Sequence, residues 1–515
     1  MKRARAGGVL LHPTSLPGRF GIGDFGPEAR RLVEFLAATG QAYWQIMPLG
    51  PTGFGDSPYS AISVFAGNAA LISPDDLVQA GFLEAGDLAD TPDFPTDLVD
   101  YGKVLVHKRA LLERAFDTFE RRRADDAGLR RDYEEVVESE AWWLEEYALF
   151  AALKDEYGSA DWLSWPAELS SRRPAALERA RADLFRRVDA HRFFQYVFRR
   201  QWLGLKRYAN ARGVRIIGDM PLFVAHHSAD VWARPELFKL RADRQPAVVA
   251  GVPPDAFSAT GQLWGCPLYD WGRLRDEGFM WWIERVRRGL TEADVVRIDH
   301  FRGLAACWEV PYGHETAERG SWVETPGREL LTAISDALGG GDLPLLAEDL
   351  GTITHDVDRL RDDFGLLGMR VLQFAWSGDP QNPHLPHRYT HGVVGYTGTH
   401  DNDTVAGWQA ARSGPAAGKA GRRELDLCLR YLDTDGAELH WDFIRAVHMS
   451  VAPLAIAPLQ DLLGLGAEAR MNSPGRPDGN WAWRARPGVL IDELGERLRS
   501  LTALSGRLPE DNRPV

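Results

Sequence analysis

The sequence predicts an α/β protein folded as a parallel (β/α)8 TIM barrel with helical and loop insertions. Three observations predict it. Eight runs dense in Val, Ile and Leu show little alternation, as strands buried on both faces do. Helical patterns separate these runs, giving the βα alternation of a parallel sheet or barrel. Three carboxylates, Asp299 in VVRIDHFRG, Glu348 in LPLLAEDLG and Asp401 in VVGYTGTHDND, stand at the tails of three runs. A parallel barrel gathers its strand ends at one face, where residues distant in sequence meet.

In chain order the strand runs are GVLLHP (8–13), YWQIMPLG (43–50), VRIIGDMPLFV (214–224), DVVRIDHF (294–301), LPLLAEDLG (343–351), MRVLQFAW (369–376), GVVGYTG (392–398) and PLAIAPLQDLLG (453–464). The whole chain, 1–515, reads as a single catalytic barrel. Between the second and third runs a helix-rich insertion is expected over about 66–210, where Trp142, Trp143, Phe150, Phe194, Phe198, Trp202 and Leu205 recur at helical spacings. Gly213 suits the left-handed residue just past its last helix. A second insertion, about 226–275, reads as a loop-rich substrate-binding segment. The final SGRLPEDNRPV is polar and proline-containing and is expected to be loose.

Composition narrows the function classes. The net charge is −13, from 60 Lys and Arg against 73 Asp and Glu, and no basic cluster occurs, so nucleic acid is not an expected partner. No run is long enough to span a membrane. Met1 to Arg5 is basic like the start of a signal peptide, but the apolar stretch after it breaks at His12 and Pro13. Cys266, Cys307 and Cys428 form no CxxC pair, which points to a reducing, cytoplasmic setting with neither a disulfide framework nor a zinc knuckle. GRFGIGDFG (18–26) lacks GxGxxG phasing and no GxxxxGKS occurs, so no nucleotide cofactor is expected.

Two glycine-flanked loops carry aromatic faces on which sugar rings stack: 48–68, with Phe54, Tyr59 and Phe65, and 251–271, with Phe257, Trp264, Tyr269 and Trp271 around Asp255 and Gln262. Paired carboxylates suit acid/base and nucleophilic work on a glycosidic bond. Arg297 and Asp299, two apart on a strand, face the same side, so the guanidinium holds Asp299 ionised as a nucleophile requires. Glu348, facing inward among apolar groups and other anions, is expected to have the raised pKa of a general acid. Asp401 follows His400 in a loop of short polar side chains suited to gripping hydroxyls. A metallohydrolase using His12, His226, His227, His400 and Asp401 is the rival from another class. No HxH or HExxH spacing supports it, and adjacent His226 and His227 would point apart on a strand.

The motifs VVRIDHFRG, LLAEDLG, GTHDND, GDMPLFV, SPYSAISVFAGN, GVPPDAFSATGQLWG and RMNSPGRPDGNWAWR together resemble the 4-α-glucanotransferases, the amylomaltases or disproportionating enzymes of glycoside hydrolase family 77 in the α-amylase clan. The match extends from GVLLHPTSLPG to GNWAWR. The resemblance implies a (β/α)8 barrel with Asp299 as nucleophile, Glu348 as general acid/base and Asp401 as transition-state stabiliser. It also implies Arg297, His300, His400 and Asp219 around them, with Ser57, Tyr59, Asp255 and Trp264 lining substrate subsites and Tyr101 reaching in from the insertion. Phe54 stands where relatives can carry a tyrosine, which keeps a stacking face and removes a hydroxyl. With the chain occupied by the barrel and insertion, the additional N-terminal starch-binding module of some plant-type relatives is not expected.

The implied partners are α-1,4-glucans, maltooligosaccharides and glucose, with no cofactor and no metal. The implied reaction is a retaining double displacement through a glucosyl-Asp299 intermediate, with the carboxyl pair about 5–5.5 Å apart. A plain α-glucan hydrolase would use the same carboxylates. The loops around Tyr59 and Trp264, with 466–475, are the expected shield of that intermediate against water.

Overall fold

A computed structural model describes residues 4–159, 161–254, 258–476 and 478–509. Numbered in chain order, its strands are β1 (Ala6–Leu10), β2 (Tyr43–Gln45), β3 (Arg215–Met220), β4 (Val248–Val252), β5 (Gln262–Pro267), β6 (Val295–Ile298), β7 (Ala306–Pro311), β8 (Ser321–Glu324), β9 (Leu345–Ala347), β10 (Gly368–Val371), β11 (Val393–Tyr396) and β12 (Leu454–Pro458). All eight runs expected as strands enter one parallel sheet, ordered β1-β2-β3-β6-β9-β10-β11-β12, in which β12 pairs again with β1. The remaining seam is drawn together by the parallel bridge Leu346–Leu367, with the Ala347 N–H donating to the Leu367 carbonyl at 2.8 Å. The sequence runs overshoot the strands: β12 stops at Pro458 and the rest turns into the helix Leu459–Leu462. Apolar character continues there because the turns beyond the ladder are themselves buried.

Side-chain alternation sorts each strand between two cores. Val9, Ile216 and Leu345 pack with Trp44 and Trp202 against the surrounding helices. Leu10, Ile217 and Leu346 join Met369, Val371, Val394, Tyr396 and Ile456 in the second cluster, which fills the barrel. The same two-residue period, counted onward, places Asp219 above Ile217, Arg297 and Asp299 above Val295, and Glu348 above Leu346. The polar site is therefore the top layer of the barrel interior.

Between β2 and β3 lie the helices Tyr101–Asp125, Ala127–Ser139, Ala141–Tyr157, Pro174–Asp183 and Phe185–Asn210. Phe116, Phe119, Tyr133, Phe193 and Tyr196 interlock within this group. Gly213 takes the expected left-handed conformation at φ +76°.

Three features differ from the sequence reading. A four-stranded antiparallel sheet, β5-β4-β7-β8, includes β4 and β5 from the stretch read as loop. These are short, glycine-containing strands that lack the long apolar run of a barrel strand; β5 pairs with β4, and β4 takes its other partner, β7, from far along the chain. The start of the supposedly loose C-terminus is anchored: Arg507 is fully buried, and its guanidinium donates to the carbonyls of Ala6, His448, Ser450, Ala452 and Pro453. A polar residue can thus be a plug when main-chain acceptors await it. Finally, His226 and His227 lie outside any strand, with ring centroids 5.1 Å apart instead of pointing away from each other.

Candidate active site

Asp299 and Glu348 each sit one residue beyond a strand end, β6 and β9. The ladder pairs Arg297 with Leu346 and Ile298 with Ala347, and the Glu348 N–H donates to the Ile298 carbonyl, so the two carboxylates are neighbours on adjacent strands. Parallel strands lie about 4.8 Å apart. Asp219 comes from β3, whose partner in the ladder at that position is Arg297.

Arg297 organises the floor. Its Nη1 donates to both carboxylate oxygens of Asp219 at 2.7 and 2.6 Å, and its Nη2 lies 2.9 Å from Asp299 Oδ1. Burial works against its charge, but the flanking Asp219 and Asp299 outweigh that and hold the guanidinium more firmly protonated than usual. The Asp219 side chain is only 1% exposed, whereas that of Asp299 is 29% exposed. Asp299 alone of the two can meet a ligand.

Tyr59 extends the network. Its hydroxyl donates to Asp219 Oδ2 at 2.8 Å, and its ring stacks on His400 at 5.0 Å and leans on Trp481 at 5.6 Å. Burial, then the Asp219 charge, pushes the phenol well above its usual pKa, so it remains a donor. His400 Nε2 lies 3.4 Å from Asp401 Oδ2.

Glu348 is held differently. Its Oε2 accepts from the His300 N–H and its Oε1 from the Leu350 N–H, each at 2.8 Å. Burial first, and the Asp299 charge second, push its carboxyl up to about 7. The neighbouring Asp349 faces the other way, bonded to Arg361, Arg370 and the Met369 N–H, and so anchors the strand end. His300 adopts a left-handed backbone at φ +53°, which aims its N–H at Glu348. Its imidazole is lowered by burial to about 4 and is neutral near pH 7, and Trp264 stands edge-on to it at 4.7 Å.

These contacts bring together Tyr59, Asp219, Trp264, Arg297, Asp299, His300, Glu348, His400 and Asp401. Ser57 is one step removed, its Oγ accepting from the Tyr59 N–H at 3.2 Å. Tyr101 is buried and donates its hydroxyl at 2.9 Å to the carbonyl of Trp481, whose ring packs on Tyr59 and His400. Phe54 is 82% exposed on a surface turn. Asp255 and Phe257 lie outside the described residues. Of the other loop aromatics, Phe65 and Tyr269 are core, packed on Trp281, and Trp271 stacks on Trp282. Among the described residues no group of three or more His, Cys, Asp or Glu stands at metal-binding distances, and no helix is long and apolar enough to cross a membrane.

Sequence reasoning missed Arg470, Asn472 and Trp481. Asn472 Nδ2 donates to Asp401 Oδ1 at 2.6 Å, and Trp481 packs on both Tyr59 and His400. All three lie in RMNSPGRPDGNWAWR, which carries no periodicity or ligand spacing that would single them out.

A family model described as 4-alpha-glucanotransferase matches residues 11–490. The 4-alpha-glucanotransferase of Thermus thermophilus is 49% identical over 510 residues, covering 99% of this chain and 100% of the relative. The chloroplastic/amyloplastic enzyme of Solanum tuberosum is 41% identical, covering 98% of this chain and 87% of its own length. The solved amylomaltase from Streptococcus agalactiae in complex with acarbose superposes with a TM-score of 0.92 at 38% identity, covering 98% of this chain and 100% of that one. With the barrel, its carboxylate cluster and these near-full-length matches in agreement, the chain belongs to the 4-alpha-glucanotransferase family.

Proposed function

We propose that this protein transfers α-1,4-glucan segments from a maltooligosaccharide donor to the 4-hydroxyl of glucose or another glucan, by retaining double displacement. The observation that carries the reading is the contrast between two adjacent carboxylates. Glu348 is pushed up to about 7, so near neutrality a large fraction carries the proton of a general acid. Asp299 is paired with a buried guanidinium and partly open, as a nucleophile must be.

In the first step Glu348 gives its proton to the glycosidic oxygen while Asp299 attacks C1 from the opposite face; the C1–O bond breaks and the reducing-end fragment leaves as an alcohol. Glu348, now ionised, takes the proton of the acceptor 4-hydroxyl, whose oxygen displaces Asp299 from C1. Two inversions retain the α configuration. Arg297 stays in place as Asp299 attacks, because its Nη1 is held by both oxygens of Asp219 while its Nη2 faces Asp299 Oδ1. Asp401, presented by Asn472 and His400, is suited to ring hydroxyls, with neutral His300 as a further donor or acceptor. Trp264, 37% exposed beside His300, offers a face to an acceptor sugar, and with Tyr59 and 466–475 it is our candidate shield against water.

The test is incubation with maltotriose beside an Asp299→Asn control. A ladder of longer maltooligosaccharides with glucose, absent in the control, is expected. Glucose and maltose without a ladder would make the protein a hydrolase.

A further inference from the structure

The segment after the last barrel strand returns over the site and holds Asp401 from two directions. Arg470 Nη2 donates to the Asp401 carbonyl at 2.8 Å, and its Nε donates to the Asn472 carbonyl at 2.7 Å. Asn472 completes the brace: its Nδ2 donates to Asp401 Oδ1 at 2.6 Å and its N–H to the His400 carbonyl at 3.1 Å. One guanidinium therefore ties the main chains of two loops whose side chains meet at a single carboxylate.

The brace matters because the remaining contacts of Asp401 are long and come from its own loop: its N–H donates to Thr399 Oγ1 at 3.3 Å and its Oδ2 lies 3.4 Å from His400 Nε2. Asp401 lies five residues past the end of β11, in a loop, and its side chain is 46% exposed. Glu348 and Asp299 take their positions from the barrel ladder itself. Asp401 takes its position from loop contacts, and Arg470 is the group that spans them. The fixed fork of a guanidinium can address two carbonyls at once, which an ammonium, as a point donor, does less well. Its charge also acts on the nearby carboxyl of Asp403, and Glu468 lies in the same electrostatic neighbourhood.

We propose that Arg470 is a positioning residue for glucan transfer: without touching the sugar, it holds Asp401, through the Asp401 carbonyl and Asn472, where hydroxyl contacts tighten in the transition state. This rests on the reading of Asp401 as the stabilising carboxylate. A contact that strengthens only in the transition state lowers kcat when it is misplaced and leaves donor binding largely alone.

The experiment is a double-mutant cycle on maltotriose transfer with Arg470→Met, Arg470→Lys, Asp401→Asn and the Arg470→Met/Asp401→Asn pair, each with a thermal melt. Arg470→Met is expected to lower kcat by roughly 30–100-fold, since a displacement of about 1 Å costs about that much, with KM within about threefold. Arg470→Lys should fall between it and the native protein. In the Asp401→Asn background the Arg470→Met change should cost less than about twofold, because the group it positions is already disabled.

Native kcat in Arg470→Met, or losses that multiply in the pair, would overturn the proposal while leaving Asp401 its role. Native kcat in Asp401→Asn would instead remove the reading beneath it. If Arg470→Met does not fold, the same cycle run with Arg470→Lys decides by the same criteria.

Discussion

Replacing Arg297 with methionine removes a cation that is 3% exposed and shared by two carboxylates. Asp299 can turn to solvent, but the Asp219 side chain, 1% exposed, cannot, and among the described residues only the Tyr59 hydroxyl remains bonded to its carboxylate. Breaking a buried pair in this way costs about 3–5 kcal/mol. With an unfolding entropy near 2.1 cal/mol/K per residue, a chain of this length loses about 1 kcal/mol per degree at its midpoint, so Tm should fall by about 3–5 °C.

The pH dependence identifies the cause. Burial already raises the Asp219 carboxyl despite Arg297, and without the guanidinium it rises further. A carboxyl with a folded pKa above its unfolded value destabilises progressively as pH climbs from the unfolded pKa through the folded one, and costs nothing when both states are protonated. The deficit of Arg297→Met should therefore be larger at pH 8 than at pH 5. Adding Asp219→Asn, which keeps an acceptor for Tyr59, should restore most of it. Melts of the native protein, Arg297→Met and the double variant across that range check this; an equal deficit at both pH values, or no rescue by the Asp219→Asn change, would refute the buried-anion argument.

Transfer kcat/KM should fall about tenfold per pH unit above 7, because Glu348 must be protonated and its carboxyl is pushed up to about 7; a plateau extending to pH 9 would contradict this. Shortening the 253–261 connection between β4 and β5 should raise the hydrolysis-to-transfer ratio by about tenfold, equivalent to ~1.4 kcal/mol in relative barrier, and an unchanged product ratio by chromatography would sink the shield. Arg507→Met should destabilise by about 3 kcal/mol, because the Ala6 and Ala452 carbonyls lose the guanidinium while those of His448 and Ser450 keep Arg5 and that of Pro453 keeps the Ala6 N–H, and kcat at 25 °C should be unchanged. A loss under about 1 kcal/mol in denaturant titration would mean that water replaces the guanidinium.

The barrel strands were legible because burial on both faces demands continuous apolar runs, a local property that composition alone reveals. Asp299 and Glu348 were legible for a related reason: a carboxylate directly after such a run has few places to be other than the barrel mouth. The aromatics were harder to sort. Phe65, Tyr269 and Trp271 come from the same glycine-flanked stretches of sequence as Tyr59 and Trp264, yet they pack against the core. Loop composition says nothing about which way a ring turns once helices pack behind it.

Sequence alone thus determined the eight barrel strands, the inward period that carries Arg297 and Asp299 to the same side, and the two carboxylates at the strand tails. Tertiary structure decided that Arg297 is shared with Asp219, that Glu348 is held by the His300 and Leu350 N–H groups, and that Arg470 and Asn472 reach back to Asp401. It also decided the antiparallel sheet and the burial of Arg507. The physical reason is range: periodicity and burial patterns act over a few residues, whereas Asp219 and Arg297 are 78 positions apart and Asn472 and Asp401 are 71 apart. Which of many polar residues meet at that distance is chosen by the folded chain, where each buried charge must find a partner.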